Sequence, residues 1–83
     1  MLLQQLDGWE VVDGHHLAKN YGFKDFADSL AFVNRVGGVA EANGHHPELI
    51  LGWGKVRIEI FTHKIDGLTE SDFVLAAKCD EVL

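Results

Sequence analysis

The 83-residue sequence has one cysteine, one proline and few basic residues, and each shortage closes something off. Cys79 has no second cysteine with which to form an internal disulfide, so a reducing, cytoplasmic setting is expected. A single proline beside 47% hydrophobic and 24% charged residues argues against long disordered stretches. Seven Lys and Arg against thirteen Asp and Glu leave a net charge of -6. That is the wrong sign for holding a phosphate backbone through counterion release, so direct nucleic-acid binding is not expected. A Gly-rich loop with a lysine is missing too, as is an arginine cluster to receive a polyphosphate, so the expected ligand is close to neutral. No apolar run approaches the roughly 18 residues of a membrane span, and the opening MLLQQLDGWE has no basic region leading into a long apolar one. A chain this short supports one core, so residues 1–83 are expected to form a single domain.

What is present is strong patterning. The first six residues suffice for one helical turn before Asp7-Gly8 ends it. WEVV then reads as a strand, and Asp13-Gly14 favours the positive backbone angles of a two-residue turn, so residues 9 to 21 read as a β-hairpin. From Asp25 to about Asn43, Phe26, Leu30, Val33 and Ala40, with Ala27, Phe32, Val36 and Val39 beside them, recur at helical spacing. Gly37-Gly38 inside this helix is expected to permit close packing on a sheet, and Gly44 is a natural helix stop. Further on, Val56, Ile58 and Ile60 alternate with Arg57, Glu59 and Phe61 in the strand KVRIEIFTH, which a turn over Gly52 to Gly54 joins to ELILGW. Thr69 to Asp72 has the form of a capping box opening a C-terminal helix. The order α-β-β-α-β-β-α, with a short first helix, predicts an α+β fold: a four-stranded antiparallel sheet with helices packed on one face.

Five histidines fall as two pairs and a singleton. His15 and His16 follow the hairpin turn, where adjacent side chains point to opposite faces, and are read as exposed strand residues. His45-His46-Pro47 differs, because Pro47 restricts His46 to extended geometry and makes a rigid corner after the helix. His63 closes the alternating strand on the face of Arg57, Glu59 and Phe61, where pairing of the two strands would bring it near that corner. From spacing alone, histidines bonded to local surface groups explain this set as well as a site does.

Glu41, His45, His46, Pro47, Trp53, His63 and Asp72, in that order and spacing, resemble the signature of the pterin-4a-carbinolamine dehydratase family. The flanks NRVGGVAEANGHHPE and KVRIEIFTHKIDGLTESD are similar to it as well, and the resemblance covers roughly residues 8 to 83. It implies dehydration of a 4a-hydroxytetrahydropterin, the carbinolamine left by a pterin-dependent aromatic amino acid hydroxylase, to quinonoid dihydropterin and water. No cofactor and no metal is implied. His45, His46 and His63 would carry the chemistry, the first and last as acid and base and His46 mainly in binding. Glu41 would support an imidazole or bind the pterin, Gly44 and Thr62 would offer backbone hydrogen bonds, and Trp53 an apolar wall. Pro47 would set geometry, and Asp72 would serve the site, the helix cap, or both. Family members also suggest a homodimer or homotetramer, and mammalian ones act as dimerisation cofactors of a homeodomain transcription factor. The sequence departs from the family in its shorter first helix and in Leu49, where an aromatic is common. Two other readings are a metal site built from the three histidines, which lacks a helical His-x-x-x-His pair or a CxxC, and a non-enzymatic interaction module or transcriptional coactivator.

Overall fold

The computed structural model describes residues 7–83; the expected first helix lies outside the described residues. The first hairpin forms from β1 (Glu10–Val12) and β2 (His16–Gly22). Asp13 and Gly14 both take positive φ, 54° and 65°, and the His15 N–H donates to the Val12 carbonyl at 2.9 Å. Strand pairing starts only at Val12 opposite His16, so the connection holds three residues where two were expected. His15 is thus an extra residue beside the ladder, an arrangement like a bulge. Its ring swings back to His16, Nδ1 to Nδ1 at 3.0 Å, and both rings are half-buried. The expectation of exposed histidines on opposite faces is corrected accordingly.

Helix α1 (Phe26–Asn43) starts at Asp25, whose carboxylate accepts the Asp28 N–H at 2.8 Å. Its buried stripe is Ser29, Phe32, Val36 and Ala40, whereas Phe26 and Leu30, which share the helical period, face outward. Periodicity finds an apolar face but does not say which of two adjacent faces meets the sheet. Gly37 and Gly38 do not serve close packing either: a Cβ at either position would meet nothing within 4 Å. Gly44 ends the helix in the left-handed region, φ 62°, its N–H donating to the Glu41 carbonyl.

Strands β3 (Glu48–Gly52) and β4 (Lys55–Ile60) form the second hairpin, with Trp53-Gly54 as a two-residue turn and Gly54 at φ 69°. β4 stops at Ile60, three residues short of its expected end. Thr62 instead exchanges backbone hydrogen bonds with Gly67, at 2.7 and 3.3 Å, and closes a small loop that carries His63. Helix α2 (Glu70–Glu81) follows, capped by Thr69. The sheet is wholly antiparallel in the order β1-β2-β4-β3. Leu17 and Tyr21 of β2 and Val56, Ile58 and Ile60 of β4 are buried against Phe32 and Val36 of α1 and Leu75, Ala76 and Cys79 of α2. This is the expected α+β fold with two described helices on one sheet face. Among the described residues no helix is long and apolar enough to cross a membrane.

Candidate active site

The antiparallel pairing of the edge strand β3 with β4 brings the corner after α1 against the segment after β4. Gly44, His45, His46, Phe61, Thr62 and His63 line one open cleft of about 260 Å³. This lies just below the usual range for drug-sized ligands, about 300–1,000 Å³, and suits a small flat molecule.

Each of the three imidazoles is held differently. His45 is mostly buried, its side chain 16% exposed, and its Nε2 stands 2.8 Å from Oδ1 of the fully buried Asp72. Among the described residues neither atom has another partner, and Oδ1 lies off the line of a straight hydrogen bond, so the contact is a close electrostatic approach. The other Asp72 oxygen accepts the Thr69 N–H at 2.7 Å and the Thr62 hydroxyl at 2.9 Å. These bonds are what make a buried carboxylate tolerable at the start of a helix. Asp72 therefore holds the expected capping-box position and also stands behind a cleft imidazole.

His46 is exposed, and its Nε2–H donates to Glu41 Oε2 at 2.7 Å, because a carboxylate can only accept. Glu41 sits one turn before His45 in α1, yet the left-handed Gly44 swings the chain so that His46 is the ring it meets. His63 lies exposed in the loop between Thr62 and Gly67 and rests on Phe61, ring centroids 4.2 Å apart. A second hollow of about 160 Å³, lined by Asn43, His45, Ser71, Val74 and Leu75, gives His45 another opening.

Of the expected site residues, Trp53, Gly44 and Thr62 stand differently from their expected use. Trp53 is 72% exposed in the β3–β4 turn. The whole of β3 lies between it and the corner, roughly 16 Å of extended chain at about 3.3 Å per residue, so it forms no wall of this cleft. Pro47 leads into β3 without lining the cleft. The backbone N–H groups of Gly44 and Thr62 are already spent on Glu41 and Gly67, which leaves side chains and carbonyl oxygens to meet a ligand. Phe61 lines the cleft and was missed, because in an alternating strand it reads as one more outward residue. His15 was missed as a neighbour of that ring, their centroids 4.5 Å apart. Only the extra turn residue places it there, and a dipeptide does not announce loop length.

The sequence profile of the family described as Pterin 4 alpha carbinolamine dehydratase matches residues 1–82. A protein of Rubrobacter xylanophilus, provisionally named a pterin-4-alpha-carbinolamine dehydratase, is 59% identical over 81 residues, which cover 98% of this chain and 76% of that one. One from Alkaliphilus metalliredigens with the same provisional name is 55% identical over 73 residues, covering 88% of this chain and 66% of its own. Among solved structures, a transcriptional coactivator/pterin dehydratase from Brucella melitensis superposes with a TM-score of 0.91 at 34% identity, covering 98% of this chain and 87% of that one.

Proposed function

Because the chain belongs to the pterin 4 alpha carbinolamine dehydratase family, we propose that it converts a 4a-hydroxytetrahydropterin to quinonoid dihydropterin and water in tetrahydropterin recycling. The C4a–O bond breaks, the N5 proton leaves, and a double bond forms between N5 and C4a. The departing hydroxyl takes up one proton and leaves as water, so no electrons pass to a redox partner. The carbinolamine itself would come from a pterin-dependent aromatic amino acid hydroxylase.

The observation that carries this reading is the convergence of three imidazoles on one small cleft. Histidine suits both proton transfers, since its ordinary pKa of about 6.5 leaves both of its states populated near neutrality. With Nε2 of His45 turned to Asp72, Nδ1 is the ring atom left to exchange a proton with substrate. His46, its Nε2 committed to Glu41, presents Nδ1 for binding the pterin edge. His63 supplies the second acid/base group from the facing loop. The Phe61 ring offers a surface for the flat bicycle, and the second hollow lets His45 re-equilibrate its proton with water.

Carbinolamine generated in situ by a pterin-dependent hydroxylase, with its decay followed in the ultraviolet, tests the proposal. His45→Ala and His63→Ala are each expected to slow catalysed decay by about 100 to 10,000-fold, the range typical of a positioned acid or base. Unchanged decay in the presence of folded wild type would sink the reading.

A second reading, a non-enzymatic interaction module, is favoured by the coactivator half of the name carried by the Brucella protein. It would lead if the histidine variants kept the biological phenotype. Self-association into a homodimer or homotetramer is supported by Phe26 and Leu30, large apolar side chains exposed on α1. Sedimentation that finds only a 9.2 kDa species would remove it.

A further inference from the structure

The third imidazole of the cleft lacks the carboxylate that each of the other two has. Among the described residues His63 makes no side-chain hydrogen bond, and its aromatic partner is Phe61, at 4.2 Å between centroids and 38° between planes. An exposed side chain on a small loop would ordinarily sample several rotamers. The same Phe61 ring also packs against His15, at 4.5 Å and 42°. His15 is fastened twice. Its Nε2–H donates to Asp66 Oδ1 at 2.6 Å, and its Nδ1 is 3.0 Å from His16 Nδ1. With Nε2 carrying the proton, a neutral His15 accepts at Nδ1 and His16 donates. Asp66 belongs to the loop that carries His63, and its N–H donates to the His63 carbonyl at 3.2 Å. The contacts therefore close a circuit: His63 ring to Phe61, Phe61 to His15, His15 to Asp66, and Asp66 back to the His63 backbone.

We propose that His15 is a positioning residue for His63, a brace between the first hairpin turn and the His63 loop that acts through Phe61 and Asp66. The proposal rests on the dehydratase reading of the cleft for its catalytic consequence. His15 does not line the cleft, so its effect passes through the aromatic contact and the hydrogen bond to Asp66. Acid/base groups must be held to within about 0.5 Å of productive geometry, and a side chain fixed only by stacking depends on what fixes the stack. The extra residue of the β1–β2 turn thereby acquires a use, since a two-residue turn would leave His15 in the ladder.

The test combines kinetics with histidine ring NMR of the free protein, on His15→Ala, His15→Phe and Asp66→Ala. His15→Ala is expected to lower kcat by about tenfold with KM changed by less than about twofold, the split that marks an effect on the transition state rather than on binding. It is also expected to move the His63 ring resonances. His15→Phe, which keeps an aromatic against Phe61, is expected to restore at least half of kcat. Should His15→Ala fail to fold, Asp66→Ala, at a side chain 82% exposed, is expected to move the His63 ring resonances as well and to lower kcat by about twofold, the loss that also remains in His15→Phe. His63 resonances that stay in place in a folded variant would overturn the brace. Moved resonances with an unchanged kcat would overturn its role in catalysis. Wild type without dehydratase activity would refute the reading on which that role rests, and the NMR arm alone would then decide whether the brace exists.

Discussion

Removing the Asp72 carboxylate takes a partner from several groups at once: the Thr69 N–H, the His45 imidazole and the Thr62 hydroxyl, which keeps only its contact with the Thr69 hydroxyl. Asp72→Ala is expected to cost about 2–3 kcal/mol in a urea unfolding titration, the sum of a lost cap and of buried donors left unpaired. Asp72→Asn retains an accepting oxygen and is expected to lose less stability than activity, since it removes the negative charge facing His45. A variant in which both fell equally would reduce Asp72 to a helix cap. Cys79 behaves in the opposite way to a reactive thiol. Burial first and the charge of Asp80 second push its pKa from 9.0 up to about 12, and Tyr21 is raised as well, by burial and by its hydrogen bond to Asp80. A thiol whose folded pKa is raised stabilises the fold fully below the unfolded value and loses that contribution as pH climbs toward the folded one. Urea stability should therefore decline between pH 9.0 and about 12, and native Cys79 should resist alkylation at pH 8 except through unfolding. Rapid labelling of the folded protein would contradict this.

Two glycines of the α1 region make opposite predictions at the level of the element. Gly44 has open space around it but φ of 62°, so Gly44→Ala pays in backbone strain, about 1 kcal/mol, and tilts the corner that presents His45. Gly38 sits in helical backbone with open space where a Cβ would go, so Gly38→Ala is expected to raise stability by about 0.5–1 kcal/mol. Thermal unfolding of the two variants, moving the midpoint in opposite directions, checks both. The same region shows what a sequence reveals. Asp25, Gly44 and Thr69 act through bonds to near neighbours in the chain, so α1 was legible to within a residue or so and the start of α2 from its capping box. Alternation through Val56, Ile58 and Ile60 likewise located β4. Its early end was not legible, because the Thr62–Gly67 exchange that replaces the ladder is a matter of loop closure and not of residue type. The histidine corner was readable from Pro47. That Glu41 would meet His46, that Trp53 would stand away from the cleft, and that His15 would touch Phe61 all depend on tertiary path.

Across the molecule, one carboxylate ties the ends of the described chain together. Asp80 of α2 accepts from Trp9 Nε1 at 3.0 Å, Lys19 Nζ at 2.9 Å and the Tyr21 hydroxyl at 2.5 Å. Trp9 precedes β1, and 71 residues separate it from its partner, so this contact exists only when hairpin and C-terminal helix are both docked. Asp80→Ala leaves the buried Trp9 and Tyr21 without their acceptor and is expected to lower unfolding stability by about 2–4 kcal/mol. A loss below about 0.5 kcal/mol, the scatter of ordinary surface changes, would show the cluster to be redundant. The placement of the tryptophans has an optical side. Trp9 is 6% exposed and Trp53 is 72% exposed. A soluble quencher should extinguish the long-wavelength part of the native emission, from Trp53, and leave a blue residue from Trp9. Denaturation then reads out through the second ring while the first keeps reporting on the hairpin tip, so the chain carries two independent fluorophores without any label being added.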